Sequence, residues 1–372
     1  MANLLRELGK CGQSVWIDNI SRGMLKKGEL KRLVEEDGVT GVTSNPTIFQ
    51  KAIGKGNEYD EQIKLLLSKK PELSASQLFE KLAVKDIQDG TDILLSVYEK
   101  TNGNDGFVSL EVSPELAYDT KNTIEEARRL FKEVNRKNVM IKIPATQEGI
   151  PAIRKMISEG ANINITLIFA QSVYEQVVDA YFSGLEDRIK DGKEIDKITS
   201  VASFFISRID TDVDNELSKV QNADLKGKIA IANAKLVYEK FMELFSGERF
   251  KKLEAKGAKV QKVLWASTST KDPAYSDILY VEELIGPKTV NTMPPATMAA
   301  YKDHGNPAER LTKNIDEARA QMKKLAELKI DFSVITRNLT EKGVVLFSQS
   351  FKELMQEIDR KKNEILTKVL SL

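Results

Sequence analysis

Lys142 is the residue in this chain whose type and setting most invite chemistry. It lies in Asn138-Val139-Met140-Ile141-Lys142-Ile143-Pro144-Ala145-Thr146, a short β-branched run that Pro144 brings to an end. Side chains alternate along a strand, so Met140 and Lys142 share one face while Val139, Ile141 and Ile143 share the other. A lysine desolvated among apolar neighbours favours its neutral amine, and a neutral amine attacks a carbonyl carbon to form a Schiff base. Two blander roles stay open from this stretch alone: a lysine that snorkels out at a strand end, or one that pairs with a carboxylate such as Glu111. His304 is the only histidine and Cys11 the only cysteine. That nearly excludes zinc centres and serine– or cysteine–histidine catalysis, and it excludes internal disulfides. Acid–base work therefore falls to carboxylates, lysines, tyrosines or water.

The elements that position these residues follow from periodicity. Strands are expected at Ser14–Asp18, Gly38–Pro46, Phe107–Val112, the Lys142 stretch, Ile163–Phe169, Val201–Ile206, Lys262–Thr268 and Thr289–Met293. Helical patterns lie between them: residues 2–10, Gly28–Glu36, pieces of 58–100 split at Pro71, Pro114–Val134, Gly149–Glu159 and Gln171–Leu185. A long block follows over 212–256, then two closing stretches near 307–328 and 340–369. Eight alternating β and α units imply a parallel sheet covered by helices, and they suit a (β/α)8 TIM barrel with extra helices. An open doubly wound sheet is the alternative. No repeat or linker divides the chain, so residues 1–372 are expected to form one domain.

Counting alternation in each strand puts a polar set on one parity. Asp18, Asn45, Glu111, Lys142, Asn164, Thr166, Ser203 and Ser267 would converge inside a barrel near its C-terminal end, where barrel enzymes place their sites. The same alternation groups Trp16 with Asp18, Phe205 with Ser203, and Trp265 with Ser267. Singly, Asp18 or Asn45 could cap a turn or helix. Jointly, the pattern favours a site.

Bulk properties narrow the classes further. The net charge is +1, from 56 basic and 55 acidic residues, which argues against nucleic-acid or membrane-surface binding. No apolar run reaches membrane-span length, no signal peptide is evident, and the single cysteine fits a reducing cytoplasm. Gly54–Tyr59 lacks the third glycine of a dinucleotide loop. Asp210, Asp212 and Asp214 begin like a calcium loop but lack its glycine and closing glutamate, and fit the flank of a helix start instead.

At these residues the sequence resembles the transaldolase family. Gly41-Val42-Thr43-Ser44-Asn45-Pro46-Thr47 matches its T-(S/T)-N-P signature, and Val139–Thr146 its Schiff-base lysine motif. Gly160–Phe169, Ser203–Arg208 and Trp265–Thr268 continue the agreement in order, and the Thr270–Asp277 segment resembles the longer bacterial subfamily. The resemblance implies reversible transfer of a dihydroxyacetone unit from sedoheptulose 7-phosphate to glyceraldehyde 3-phosphate, giving erythrose 4-phosphate and fructose 6-phosphate in the pentose phosphate pathway. It implies that Lys142 forms the imine, Asp18 takes the C4-hydroxyl proton, and Glu111 shuttles protons through a water held with Thr166. Asn45, Asn164 and Ser203 would hold hydroxyls beside Phe205. Arg208, with Ser267 and Lys271, would bind phosphate, although Arg208 as a structural ion pair stays open. In shorter members a second arginine stands where this chain has Ser269, and Lys271 is the candidate stand-in. No metal or organic cofactor is implied. The expected partners are sugar-phosphate substrates, with no nucleic acid and no membrane, in a cytoplasmic monomer or homodimer. A simple Schiff-base aldolase and a catalytically dead sugar-phosphate-binding barrel are the competing functions.

Overall fold

The computed structural model describes residues 3–54 and 56–370. Its strands are β1 (Gln13–Ile17), β2 (Gly41–Val42), β3 (Phe107–Glu111), β4 (Val139–Pro144), β5 (Ile163–Ile168), β6 (Ser200–Phe205), β7 (Lys262–Ala266) and β8 (Thr289–Met293). Each pairs in parallel with the next and β8 closes on β1, so order around the barrel is order along the chain. Closure rules out the open doubly wound sheet.

Several expected boundaries move for local reasons. β2 is only two residues long, and Pro46, which cannot donate to a ladder, opens the helix Pro46–Gly54. The block expected over 212–256 is three helices, Ser207–Lys219, Ile229–Ser246 and Glu248–Glu254. Its first break holds Gln221 and Gly227, both at positive φ. The first segment is Leu4–Lys10, with residue 2 of the expected helix outside the described residues. Around Pro71 the helices are Asp60–Lys69 and Ala75–Lys100, the latter begun by a Ser74–Gln77 capping box. Pro114–Leu116 forms a separate 3-10 turn ahead of Thr120–Val134. Near the end, Pro295–His304 precedes Ile315–Glu327, and the last helix runs Phe332–Leu370.

The barrel interior is packed at its lower end by Trp16. A Cβ at Gly41 would sit 2.3 Å from the Trp16 ring, so glycine is what lets the indole cross to β2. The indole N–H donates to Asp105 at 2.8 Å. Trp265 does not join it. Leu264 and Ala266 register with Ser203 and Phe205 on the inner face, while Trp265 registers with Phe204 on the outer one, their rings edge-on at 6.2 Å. Both faces of a barrel strand are buried, so a tryptophan alone does not mark the inner parity. Ser267 still turns to the mouth, because its φ of +57 breaks the alternation.

The C-terminal helix Phe332–Leu370 crosses the C-terminal mouth of the barrel. It is tied down by Thr47 donating to Ser350 at 2.8 Å, by Lys342–Asp212 at 2.7 Å and by Lys361–Asp60 at 2.9 Å. At Gly343 a Cβ would lie 2.7 Å from Leu167. The missing side chain seats the helix on the end of β5, and one turn later Phe347 descends into the mouth.

Candidate active site

Neighbouring strands deliver the central residues by register. Glu111 on β3 lies beside Lys142 on β4, which lies beside Asn164 on β5. Lys142 Nζ is 3.0 Å from Glu111 Oε2, with the two side chains 6% and 7% exposed. The same ammonium donates to the Ser44 carbonyl at 2.9 Å, and Ser44 is itself pinned by its hydroxyl to the Ser109 carbonyl at 2.7 Å. The lysine–carboxylate pair left open from the sequence is thus present, and its lysine also borders the cavity of the mouth. Burial pushes the Glu111 carboxyl up from its ordinary value, against the opposing pull of the Lys142 charge.

Asp18, just past β1, accepts a 2.6 Å hydrogen bond from the Thr43 hydroxyl. Thr43 in turn lies 2.7 Å from the Thr292 hydroxyl, which completes the relay by donating to it. Burial raises the Asp18 pKa, with Lys142 and Thr43 opposing. Two carboxylates that hold protons more readily than usual thus flank one lysine, as proton transfer near neutrality requires.

A hydroxyl–amide chain runs below. Ser203 donates to Asn164 Oδ1 at 2.6 Å, and Asn164 Nδ2 donates to Ser109 at 3.0 Å. Asn164 is fully buried and sets the direction of Ser203, which lines the mouth. Asn45 accepts from Ile48 N at 3.0 Å, so it caps the Pro46–Gly54 helix and also lines the mouth. The Thr166 hydroxyl is buried beside the cavity without a partner among the described residues, a position that suits an ordered water or a substrate oxygen.

The opposite wall is cationic. Arg208 makes no ion pair, and its buried Nη1 has no acceptor, so the structural ion pair expected as an alternative is absent among the described residues. Desolvation lowers its pKa. The rings of Phe205 and Phe347 lie 5.4 and 6.0 Å from its guanidinium. Ser267 and Ser207 hydroxyls meet at 2.9 Å beside it. Lys271 donates to Ser269 at 2.8 Å; partial desolvation, then the nearby Arg208 and Lys51 charges, lower its pKa. Arg208, Phe205, Phe347, Ser267, Ser269, Lys271 and Lys51 surround one cavity of about 560 Å³ that Asp18 and Lys142 also line.

Phe347 and Lys51 are not visible as site residues in the sequence, nor is the Thr43–Thr292 relay. Thr43 shares a face with Asn45, so parity carries a signal for it. Gly343, a glycine in a long helical pattern, signals close approach one turn before Phe347. Lys51 is a helix lysine with no distinguishing signal. His304 stands outside the cavity, 3.0 Å from Asp277. Among the described residues no group of three or more His, Cys, Asp or Glu side chains is arranged to hold a metal.

A buried lysine–carboxylate pair in the C-terminal mouth of a parallel barrel, opposite an unpaired arginine, defines a class: (β/α)8 barrels equipped for lysine-centred carbonyl chemistry on anionic substrates. Comparison with known proteins is specific within that class. The family model described as transaldolase/fructose-6-phosphate aldolase matches residues 15–358. A protein named transaldolase 2 from Nostoc is 45% identical, over 96% of this chain and 97% of its own length. Transaldolases from Trichodesmium erythraeum and Thiobacillus denitrificans are 44% and 43% identical over 97% and 96% of this chain, with 98% and 99% of their own lengths covered. The chain belongs to the transaldolase/fructose-6-phosphate aldolase family.

Proposed function

We propose that this protein is a transaldolase, a transferase that moves a dihydroxyacetone unit from sedoheptulose 7-phosphate to glyceraldehyde 3-phosphate through a Schiff base on Lys142. The supporting observation is the Lys142 ammonium, 3.0 Å from Glu111, in the same cavity as Asp18 and Arg208. Glu111 accepts the proton that frees the amine. The amine adds to the ketose C2, and Glu111 then protonates the departing hydroxyl, which leaves as water while the iminium forms. Thr166 holds the water that carries these protons. Asp18 next removes the C4-hydroxyl proton. The C3–C4 bond breaks, its electron pair passes into the iminium to give an enamine, and the aldose phosphate leaves.

Ser203 and Asn45 hold the hydroxyls of the retained three-carbon unit, with Asn164 fixing Ser203 from below. Phe205 and Phe347 form apolar walls. The enamine attacks the aldehyde of the incoming acceptor, and the same steps run backwards to release the new ketose. Arg208 grips the phosphate with Ser267, while Lys51 and Lys271 add point charge. No cofactor takes part, and the enzyme works on soluble sugar phosphates in the cytoplasm as a monomer or homodimer.

Borohydride reduction during incubation with fructose 6-phosphate tests the covalent step. Mass spectrometry should find one reduced three-carbon unit, on Lys142 alone; label on another lysine would refute the assignment. Rapid release of free dihydroxyacetone without an acceptor aldehyde would instead mark a simple aldolase.

A further inference from the structure

The aspartates at alternate positions of the Ser207–Lys219 helix, Asp210, Asp212 and Asp214, each hold a different element. Asp210 accepts from the Ala230 N–H at 2.7 Å and from the Tyr280 hydroxyl at 2.8 Å. Asp212 pairs with Lys342 on the C-terminal helix, five residues before Phe347. Asp214 accepts from the Tyr275 hydroxyl at 2.7 Å and from the Gly227 N–H at 3.2 Å. This helix begins one residue before Arg208, so what it holds is held relative to Arg208.

Tyr275 bears most directly on the mouth. The segment after β7 carries Ser267, Ser269 and Lys271. It is joined to the barrel by Thr268, which donates to Asn291 at 3.0 Å. Beyond that point the hydrogen bonds of Ser269–Ala274 stay inside the loop: Lys271 to Ser269, Ala274 N to the Asp272 carboxylate, and Tyr275 N to the Asp272 carbonyl. The next tie to the body of the protein is Tyr275 to Asp214. Its geometry is built on both sides. Gly227 has φ +68, and a Cβ there would lie 2.8 Å from the Tyr275 ring, so the ring rests against bare backbone with its hydroxyl on Asp214. A phenol donating to a carboxylate is a charge-assisted bond, stronger than a neutral pair.

We infer that Asp214 and Tyr275 are positioning residues for the phosphate end of the substrate, latching the Ser269–Lys271 loop to the Arg208 helix so that both sides close on one anion. The inference rests on the proposal that Arg208 grips phosphate. Neither residue touches substrate; each acts through the loop.

The test is the ratio of kcat/KM for glyceraldehyde 3-phosphate to that for glyceraldehyde, measured in the full-length enzyme. Tyr275→Phe keeps the ring on Gly227 and removes only the hydroxyl. It should lower the ratio at least about tenfold, the lower end of what a hydrogen bond to a charged group is worth. Asp214→Ala should lower it similarly, and the double variant should fall no further than the worse single one. Asp214→Asn, which keeps an acceptor oxygen, should recover part of the loss. Lys142 trapping with dihydroxyacetone and borohydride should stay at the wild-type rate in all of them. A role in folding alone would reduce both acceptors together and leave the ratio unchanged, which overturns the inference. Arg208→Ala is the control: if it lowers the ratio and Tyr275→Phe does not, only the latch is wrong. If Arg208→Ala also leaves the ratio unchanged, the phosphate assignment fails and the latch with it. Should Asp214→Ala fail to fold, Tyr275→Phe decides alone.

Discussion

Glu111→Gln separates what the carboxylate beside Lys142 does for the fold from what it does for the reaction. The pair is 3.0 Å apart and nearly sealed from solvent. Removing one partner of such a pair costs about 3–5 kcal/mol when the other charge is left buried. Here the Ser44 carbonyl still accepts from Lys142 at 2.9 Å, and Lys142 borders the open cavity, so the loss belongs at the lower end of that range. The kinetic loss is separate. Imine formation and hydrolysis each move protons that the amide of glutamine cannot carry, and a positioned acid–base group contributes roughly 10²- to 10⁴-fold.

Asp18→Asn makes the opposite split. Its carboxylate bonds to Thr43 and not to Lys142, so the amine keeps its partner and only the C4 proton loses its base. Rapid-quench borohydride trapping with fructose 6-phosphate, read by mass spectrometry, should show imine accumulating at near the wild-type rate in Asp18→Asn while aldose release nearly stops. In Glu111→Gln the trapped fraction should rise at least about a hundredfold more slowly. Denaturant titration of both variants checks the stability arm, which should register for Glu111→Gln first. Wild-type trapping rates in both variants would refute the role given to Glu111.

Phe347→Ala removes the ring that lies 5.9 Å from Lys142 and 6.0 Å from Arg208, so KM for the ketose phosphate should rise about tenfold, and an unchanged KM would place the ring outside the substrate's path. Arg208→Ala should cost about 1.5–3 kcal/mol, or one to two decades in kcat/KM for glyceraldehyde 3-phosphate, while Lys51→Ala and Lys271→Ala cost less because each offers one point charge; equal effects from all three would contradict the bidentate grip. Asp210 supplies a pH test, since burial pushes its carboxyl up to about 7. A folded-state value above the unfolded one makes its contribution to stability full below about pH 4 and lost as pH rises through 7, by at most about 4 kcal/mol. Asp210→Asn should therefore gain on the wild type in melting temperature between pH 5 and 8, and a difference independent of pH would refute the sign.

Alternation along the strands is enough to bring Asp18, Glu111, Lys142, Thr166 and Ser203 to one end of a barrel. Each polar side chain buried inside needs a partner, so an inner parity that carries them in strand after strand is costly unless they serve a site. The same rule fails at β7. Counting pairs Trp265 with Ser267, but the backbone reverses at Ser267 and the tryptophan packs under the helices with Phe204. No local signal in Ala266-Ser267-Thr268 distinguishes a left-handed serine from a strand residue. Phe347 is hidden for a different reason. Periodicity says that most of Phe332–Leu370 is helical, yet which turn meets the mouth depends on where the helix lands, and that is fixed by the contact of Gly343 with Leu167, distant in sequence. Lys51 is one lysine in a chain with 56 basic residues, and only its convergence with Lys271 on Arg208 singles it out.

The charge layout of the mouth also determines which way round a sugar phosphate can enter. On one side Lys142 is offset by Glu111 at 3.0 Å and by the charge of Asp18, so that corner offers a dianion no net attraction. On the other, Arg208, Lys51 and Lys271 make no ion pair with a carboxylate among the described residues, so their field is uncancelled. A phosphate placed at the lysine end would meet two carboxylates in a desolvated site, and repulsion of that kind discriminates as strongly as attraction does. The carbonyl end has no such conflict, since the polar groups beside Lys142 in the cavity, Ser203, Asn45 and Thr166, are uncharged. Phe347 fixes the separation of the two ends. Because Lys142 Nζ and Arg208 Cζ lie 5.9 and 6.0 Å from the same ring, they are at most about 12 Å apart, and an extended ketose phosphate can touch both without either cation moving. A chain with a net charge of +1 thus presents its substrate with a directional field, produced by pairing one cation and leaving three unpaired.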